Sequence, residues 1–232
     1  MPAADQLLLA IDTSTEVAGL ALYDGEQVSE LTWRAGRNQT ASLLQEIHHL
    51  LQLNQLDVRD VQAVGVAIGP GSFNGLRVGL STAKALSYGL GIPIIGVVTL
   101  DAVAYPHVQS GGPIRAFIKA GRGRVVVADY RRRNQRWERL SDLRNERLDQ
   151  IADDLLEPTV LAGELRRDLE ASLASNPLAL IPPPALRVRR PSYIAEIAFQ
   201  RWQEGEVNQI ETLEPIYVHG PAAPAKAETE PV

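Results

Sequence analysis

The chain has 232 residues, of which 45% are hydrophobic and 22% charged, a composition typical of a globular protein with one large or two modest domains. It contains no cysteine, which excludes disulfides, thiolate nucleophiles and cysteine metal ligands. The net charge of −5 provides no overall attraction to nucleic acid. The sequence starts without the pattern of a secretory signal, and its longest apolar stretch is broken by Pro93 and Asp101. We therefore expect a cytoplasmic protein that does not span a membrane.

The first part of the chain alternates between strand and helix patterns. The polar loop 12–16 separates the first two apolar runs, and Asp24-Gly25 is a typical hairpin turn. The order indicates a mixed sheet with crossover helices. The patterns predict strands over 7–11, 17–23 and 27–33, a helix around 43–51, a strand over 61–68, a helix over 74–90 and a strand over 94–98.

The second part is less regular. Prolines 182–184 indicate a linker or a sheet edge, and Gly205 is the expected end of the last helix. Residues 221–232 have the composition of a disordered tail. The remaining patterns predict strands over 114–120 and 125–130, a helix over 148–156, a short strand over 159–162 and a helix through residues 194–202.

Four blocks occur in order along nearly the whole chain. Residues 10–16 read AIDTSTE, 69–79 read GPGSFNGLRVG, 91–97 read GIPIIGV and 214–218 read EPIYV. Together they resemble the TsaB (YeaZ) family, and the second block is long enough to be specific. The resemblance implies an α/β protein of the actin-like (ASKHA, ribonuclease H-like) fold, with two lobes each built on a βββαβα unit and mixed sheets. It implies an N-terminal partner-binding lobe over 1–105, a diverged C-terminal lobe over 106–220 and a disordered tail over 221–232.

The resemblance also implies a function. It implies a non-catalytic scaffold subunit of the complex that makes N6-threonylcarbamoyladenosine (t6A) in tRNA. Such a subunit binds the catalytic subunit TsaD directly, acts together with TsaE, contacts tRNA only through the complex, and forms a homodimer when alone. The chain departs from the family pattern at Gln39, at Asn74, at Lys119, which stands where the second lobe usually has an aspartate, and at the C-terminal block Tyr217-Val218-His219.

A second hypothesis is a small ATP-dependent phosphotransferase of the same superfamily. ATP-binding relatives have glycine in the first hairpin loop, because backbone amides must approach the phosphates there. This chain has Ser14 at that position and Glu16 two residues later. A carboxylate about 5 Å from a phosphate charge costs roughly 3 kcal/mol at an effective dielectric constant of about 20. We therefore expect no tightly bound cofactor, and only weak ATP or ADP binding at a partner interface.

The weak candidates for a nucleotide contact are Asp12, Ser72 and Asn74. Asp12 is interpreted as a turn residue that accepts hydrogen bonds from its own loop. The Gly-Pro-Gly-Ser turn at 69–72 could hold an anion at a helix N-terminus, but Ser72 is favoured as an ordinary helix cap. A third hypothesis, a protease that acts on TsaD, finds no nucleophile–base pair in the sequence. The adjacent His48 and His49 point in different directions on a helix, so no metal site is expected.

The helix over 74–90 suggests where a partner binds. Its small and apolar residues cover roughly 220° of the helix circumference, more than the stripe of about 100° that packing on one sheet requires. The excess predicts either packing inside the chain or a partner surface, and the partner surface is favoured. The predicted interface consists of Leu44, Ile47, Leu51, Gly75, Leu76, Gly79, Leu80, Ala83 and Ser87.

A basic cluster at Arg131, Arg132, Arg133, Arg136 and Arg139 lies in the second half of the chain. It could contact the tRNA backbone. Acidic neighbours and few aromatic residues favour a solvated surface instead.

Overall fold

The computed structural model describes residues 6–35, 39–133, 136–165 and 167–218. The chain forms two sheets with helices packed on them, and no helix in the described residues is long and apolar enough to cross a bilayer. The strands are β1 (Leu8–Asp12), β2 (Val17–Tyr23), β3 (Val28–Arg34), β4 (Ala63–Gly69), β5 (Ile94–Val98), β6 (Ile114–Gly121), β7 (Arg124–Arg133), β8 (Arg136–Arg139), β9 (Arg144–Arg147), β10 (Thr159–Ala162) and β11 (Ala179–Leu180). The helices are α1 (Gln39–Leu53), α2 (Phe73–Leu90), α3 (Thr99–Ala104), α4 (Arg167–Leu173) and α5 (Pro191–Gln203).

The first sheet has the strand order β3-β2-β1-β4-β5. β1 is antiparallel to β2 and parallel to β4, and β4 is parallel to β5. Because β1 is buried on both faces, its alternating side chains serve two cores. Leu9 and Ile11 pack with α1 and α2, whereas Leu8 and Ala10 pack with α5. The loops that follow β1 and β4 therefore meet at one edge of the sheet, where the functional site is expected.

The second sheet has the strand order β11-β10-β6-β7-β8, with β9 also paired to β7. The predicted helix over 148–156 is wrong, because only Leu148–Gln150 forms a single 3-10 turn. Leu148, Ile151 and Leu155 are buried as the pattern required. The buried Arg115 explains the difference, since it donates to the Ile151 carbonyl (2.8 Å) that a helix would have used. A short helix, α4, follows β10 where none was predicted.

The C-terminal lobe predicted over 106–220 extends too far along the chain. The chain leaves the first lobe after α3, builds the second sheet, and then returns, because α5 packs across β1, β2 and β4. At Gly65 a Cβ atom would lie 2.7 Å from the Ala198 Cβ, so a glycine permits this close packing. Residues 191–213 therefore belong to the first lobe, with Leu213 in its core, whereas Val218 packs against the core of the second lobe. The predicted tail, 221–232, lies outside the described residues.

Candidate functional site

A cleft of about 690 Å³ lies between the two lobes. The first lobe contributes the loop after β1 and the turn before α2. The second lobe contributes the end of β6 and the segment 184–189, named here the strap, which connects the second sheet to α5. The lining residues that carry charge are Glu16, Arg34, Lys119, Glu164, Arg187 and Arg189.

The first hairpin loop is a buried, internally bonded structure. Asp12 is 2% exposed, and its Oδ1 accepts hydrogen bonds from the Ser14 amide (2.9 Å) and the Ser14 hydroxyl (2.6 Å). The Thr13 hydroxyl donates to the Gly75 carbonyl of α2 at 2.7 Å. The interpretation of Asp12 as a turn residue is therefore confirmed, and the loop is tied to α2.

Arg189 occupies the other side of the Asp12 carboxylate. Its Nε donates to Asp12 Oδ2, and its Nη2 donates to the Thr15 hydroxyl (2.7 Å) and the Val17 carbonyl (2.8 Å). Both members of the ion pair are almost fully buried, and each is hydrogen-bonded, which is the condition under which a buried charge pair is tolerated. Sequence reasoning missed this residue, although charges at 187 and 189 alternate with apolar residues at 186 and 188.

The Gly-Pro-Gly-Ser turn packs directly on the first hairpin loop. The Ser72 amide donates to the Ser14 carbonyl at 2.7 Å, and a Cβ at Gly71 would overlap that same oxygen. The Ser72 hydroxyl accepts from the Gly75 amide at 3.4 Å, which confirms it as the N-cap of α2. Asn74 is exposed and does not line the cleft, so the three weak nucleotide candidates are not gathered at one point.

The described residues that line the cleft include no histidine, and Ser72 among them acts as the N-cap of α2. His48 and His49 are both exposed on α1. His107, near the strap, is buried, and this burial lowers its pKa, while a hydrogen bond to the Leu186 backbone opposes the shift. No group of three or more acidic or histidine side chains within 6–35, 39–133, 136–165 and 167–218 is arranged to hold a metal ion.

The predicted partner interface is wrong as an exposed surface, except at Leu44. The ridge of small residues on α2 faces its own sheet, since a Cβ at Gly79 would overlap the Thr13 hydroxyl. The excess apolar width of α2 is covered from within, because β1, β4, β5 and α1 all contact the helix. The residues buried inside the chain are Ile47, Leu51, Gly75, Leu76, Gly79, Leu80, Ala83 and Ser87.

A different apolar surface remains on the outer side of the same two helices. Leu44 is 61% exposed on α1 and Tyr88 is 80% exposed on α2. Phe73, at the start of α2, is also exposed and packs against Tyr217 with ring centroids 5.1 Å apart. We name Leu44, Phe73 and Tyr88 the outer helix face, because all three are exposed on α1 and α2, which cover the same side of the first sheet.

The basic cluster is partly paired within the chain. Arg131 forms an ion pair with Glu157 at 2.5 Å, and Arg139 lies 3.8 Å from the Asp101 carboxylate. Asp101 also accepts from the Tyr130 hydroxyl (2.9 Å), and burial raises the pKa of this carboxyl group. These contacts favour a structural role for the two arginines, and a tRNA contact stays a prediction.

Comparisons with known proteins agree with the fold. The model of the family described as TsaD, tRNA N6-adenosine threonylcarbamoyltransferase, matches residues 33–179. The chain is 29% identical over 231 residues to the tRNA threonylcarbamoyladenosine biosynthesis protein TsaB of Escherichia coli K12, covering 93% of this chain and 96% of that protein. It is 34% identical over 128 residues to the TsaB of Bacillus subtilis, covering 55% and 56%.

A solved structure shows the same arrangement of elements. YeaZ from Pseudomonas aeruginosa superimposes with a TM-score of 0.73 at 22% identity, covering 92% of this chain and 100% of that one. The predicted α/β class with two mixed sheets is confirmed by this match and by the two sheets themselves.

Proposed function

Because the chain belongs to the TsaB (YeaZ) branch of the TsaD-type family, we propose that it takes part in tRNA threonylcarbamoyladenosine biosynthesis as a non-catalytic subunit. In this role it binds the TsaD-type enzyme directly, acts together with TsaE, and meets tRNA only through the assembled complex. The observation that carries the proposal is the outer helix face. Leu44, Phe73 and Tyr88 expose large apolar side chains on the side of the first sheet that α1 and α2 cover, and exposed aromatic and aliphatic side chains are typical of protein-binding surfaces.

The state of the first hairpin loop supports a non-catalytic role. A loop that binds phosphates presents unoccupied hydrogen-bonding groups to them. Here Arg189 and Ser14 occupy both Asp12 oxygens, and Glu16 adds a carboxylate to the cleft wall. We therefore propose that the isolated chain binds no nucleotide tightly, and that ATP or ADP binds at most weakly where the partner adjoins it. Micromolar binding of ATP with magnesium to the isolated chain would contradict this.

The partner contact is tested by charge placed on the outer helix face. Tyr88→Glu combined with Leu44→Glu should weaken binding to the TsaD-type enzyme at least tenfold, because two apolar anchors become carboxylates that resist desolvation. Both side chains point to solvent, so the circular dichroism spectrum and the melting temperature should stay unchanged. Binding is measured by calorimetry with the purified enzyme.

Leu156→Glu is the matched control, because Leu156 is 95% exposed but lies on the second lobe. It should bind the enzyme as the unmodified chain does. If the double variant retains full affinity, the outer helix face is not the contact. The same variant should also reduce self-association of the isolated chain, since we propose that the homodimer uses this face when the enzyme is absent.

A further inference from the structure

The two edges of the first sheet differ in how the chain covers them. At β5 the segment after α5 lies along the edge. There the Asn208 amide donates to the Ile94 carbonyl at 2.9 Å, and the Asn208 side chain accepts from the Gly96 amide at 2.7 Å. β3 is the opposite edge, and no residue within 6–35, 39–133, 136–165 or 167–218 pairs with its outer side. This edge can therefore accept another strand.

The pairing of β3 with β2 determines which backbone groups face outward. At one end of this ladder the Asp24 amide donates to the Gln27 carbonyl at 3.4 Å. At the other end the Ala35 amide donates to the Glu16 carbonyl at 3.0 Å. Bonded and non-bonded pairs alternate along an antiparallel ladder, so residues 29, 31 and 33 bond to β2. The residues whose amide and carbonyl groups face outward are Val28, Glu30, Thr32 and Arg34.

β3 has few of the features by which proteins block a sheet edge. It contains no proline, and its seven residue pairs with β2 run without a bulge. Its two charged residues have opposite signs. Glu30 is held on its own chain by Arg190, whose Nε donates to Oε1 at 2.6 Å. Arg34 is exposed, and it has no counter-charge among the residues that the structure describes.

Residues 30–34 are complementary to themselves in the antiparallel direction. When two copies pair about Thr32, Glu30 of one copy lies opposite Arg34 of the other. In the same register Leu31 of one copy lies opposite Trp33 of the other. Opposite charges, aliphatic–aromatic pairs and threonine pairs are combinations that stabilise antiparallel strands. Pairing about residue 30 or residue 34 would instead place like charges opposite each other, so the pattern favours a two-fold contact centred on Thr32.

We infer that β3 is a docking edge for a second copy of this chain. The second copy adds its own β3 antiparallel to the first, and the two sheets of five strands join into one continuous sheet. The contact closes on itself, because each β3 covers the outward amides and carbonyls of the other. It is separate from the outer helix face, since it lies along the rim of the first sheet, whereas α1 and α2 lie on one of its faces.

The first test is amide hydrogen exchange in the double variant of the outer helix face, so that self-association through that face does not contribute. The amides of Glu30, Thr32 and Arg34 should exchange rapidly in dilute solution. In concentrated solution, where sedimentation shows dimers, they should exchange at least tenfold more slowly. The amides of Leu31 and Trp33 already bond to β2 and should be slow under both conditions. Rapid exchange of the outward amides at every concentration, or monomers throughout, would refute the inference.

Two further substitutions in the same background test the pairing itself. Thr32→Pro removes an outward amide without touching a bond to β2, and it should weaken the dimer at least tenfold; Thr32→Ala keeps the amide and is its control. Arg34→Glu places a carboxylate opposite Glu30 and should weaken the dimer by a similar factor. Arg147→Glu, the same charge change at an exposed arginine of the second lobe, should have no effect. Melting temperatures show which variants fold, and unchanged dimerisation of folded Arg34→Glu would overturn the proposed register.

Discussion

The hairpin loops that open the two lobes have opposite environments. In the first, residues 12–14 are buried and hydrogen-bonded to α2, to the turn before it and to the strap. In the second, residues 119–123 are exposed, and Gly121, Arg122 and Gly123 all have positive φ angles. Both loops follow a comparable strand and both line the cleft. The first loop is therefore part of the protein core, whereas the second loop only lines the cleft.

The largest loss of stability is expected for Arg189→Met, which tests the core role of the first loop. It leaves the Asp12 carboxylate buried without a counter-charge, so the free energy of unfolding should fall by about 3–5 kcal/mol. Adding Asp12→Asn should restore a large part of that loss, because the remaining side chain is uncharged. Urea unfolding measures both. Arg147→Met, which removes an exposed and solvent-screened ion pair, should change the free energy of unfolding very little; equal losses at both arginines would contradict a core role for the first loop.

A smaller loss is expected at Gly79, where the first loop meets α2. Gly79→Ala places a methyl group against the Thr13 hydroxyl and should destabilise the fold by about 1–3 kcal/mol. Combined with Thr13→Ala, which removes the obstructing oxygen, the substitution should cost less than the two single changes added together. Simple additivity in thermal unfolding would mean that this contact is not tight. Gly89→Ala is the control, since nothing lies near that position.

The smallest effect is expected in the second loop. Arg122 has a φ of 51°, a conformation that costs a residue with a side chain more than it costs glycine. Arg122→Gly should therefore raise the free energy of unfolding by about 0.5 kcal/mol, after the entropy of the new glycine is allowed for. Replicate urea unfolding measurements can detect this change in the free energy of unfolding. A loss above about 1 kcal/mol would show that the second loop, like the first, has structural partners.

The same contrast explains how much of the fold could be predicted. In the first lobe the five strands and the helices α1 and α2 follow from local pattern, because each apolar run packs on one face or both faces of a single sheet, whereas the short helix α3 was not predicted. The strand over 94–98 was predicted with the observed bounds, and α2 differs by one residue. In the second lobe the segment after β9 has helical spacing but takes its shape from Arg115, a residue far away in sequence. No local pattern contains that contact.

The candidate site was predicted in part for a related reason. Asp12 and Ser72 were interpreted correctly because their roles depend on hydrogen bonds to neighbours two or three residues away. Arg189 is 177 residues from Asp12, and one sequence offers no signal for such a pairing. The interface prediction was wrong because the wide apolar arc of α2 does not indicate whether its own chain or a partner covers it. Tyr88 and Phe73, the exposed residues, lie outside that arc or at its end.

The return of α5 to the first lobe has a consequence for synthesis on the ribosome. Leu8, Ala10 and Ala67 belong to a core that also needs Ile194 and Ala198. While the second lobe emerges from the ribosome, the face of the first sheet that packs on α5 stays exposed, since α5 is still inside the exit tunnel. The nascent chain therefore carries an open hydrophobic surface through most of its translation, and a chaperone that holds such surfaces has its longest opportunity at the N-terminal half.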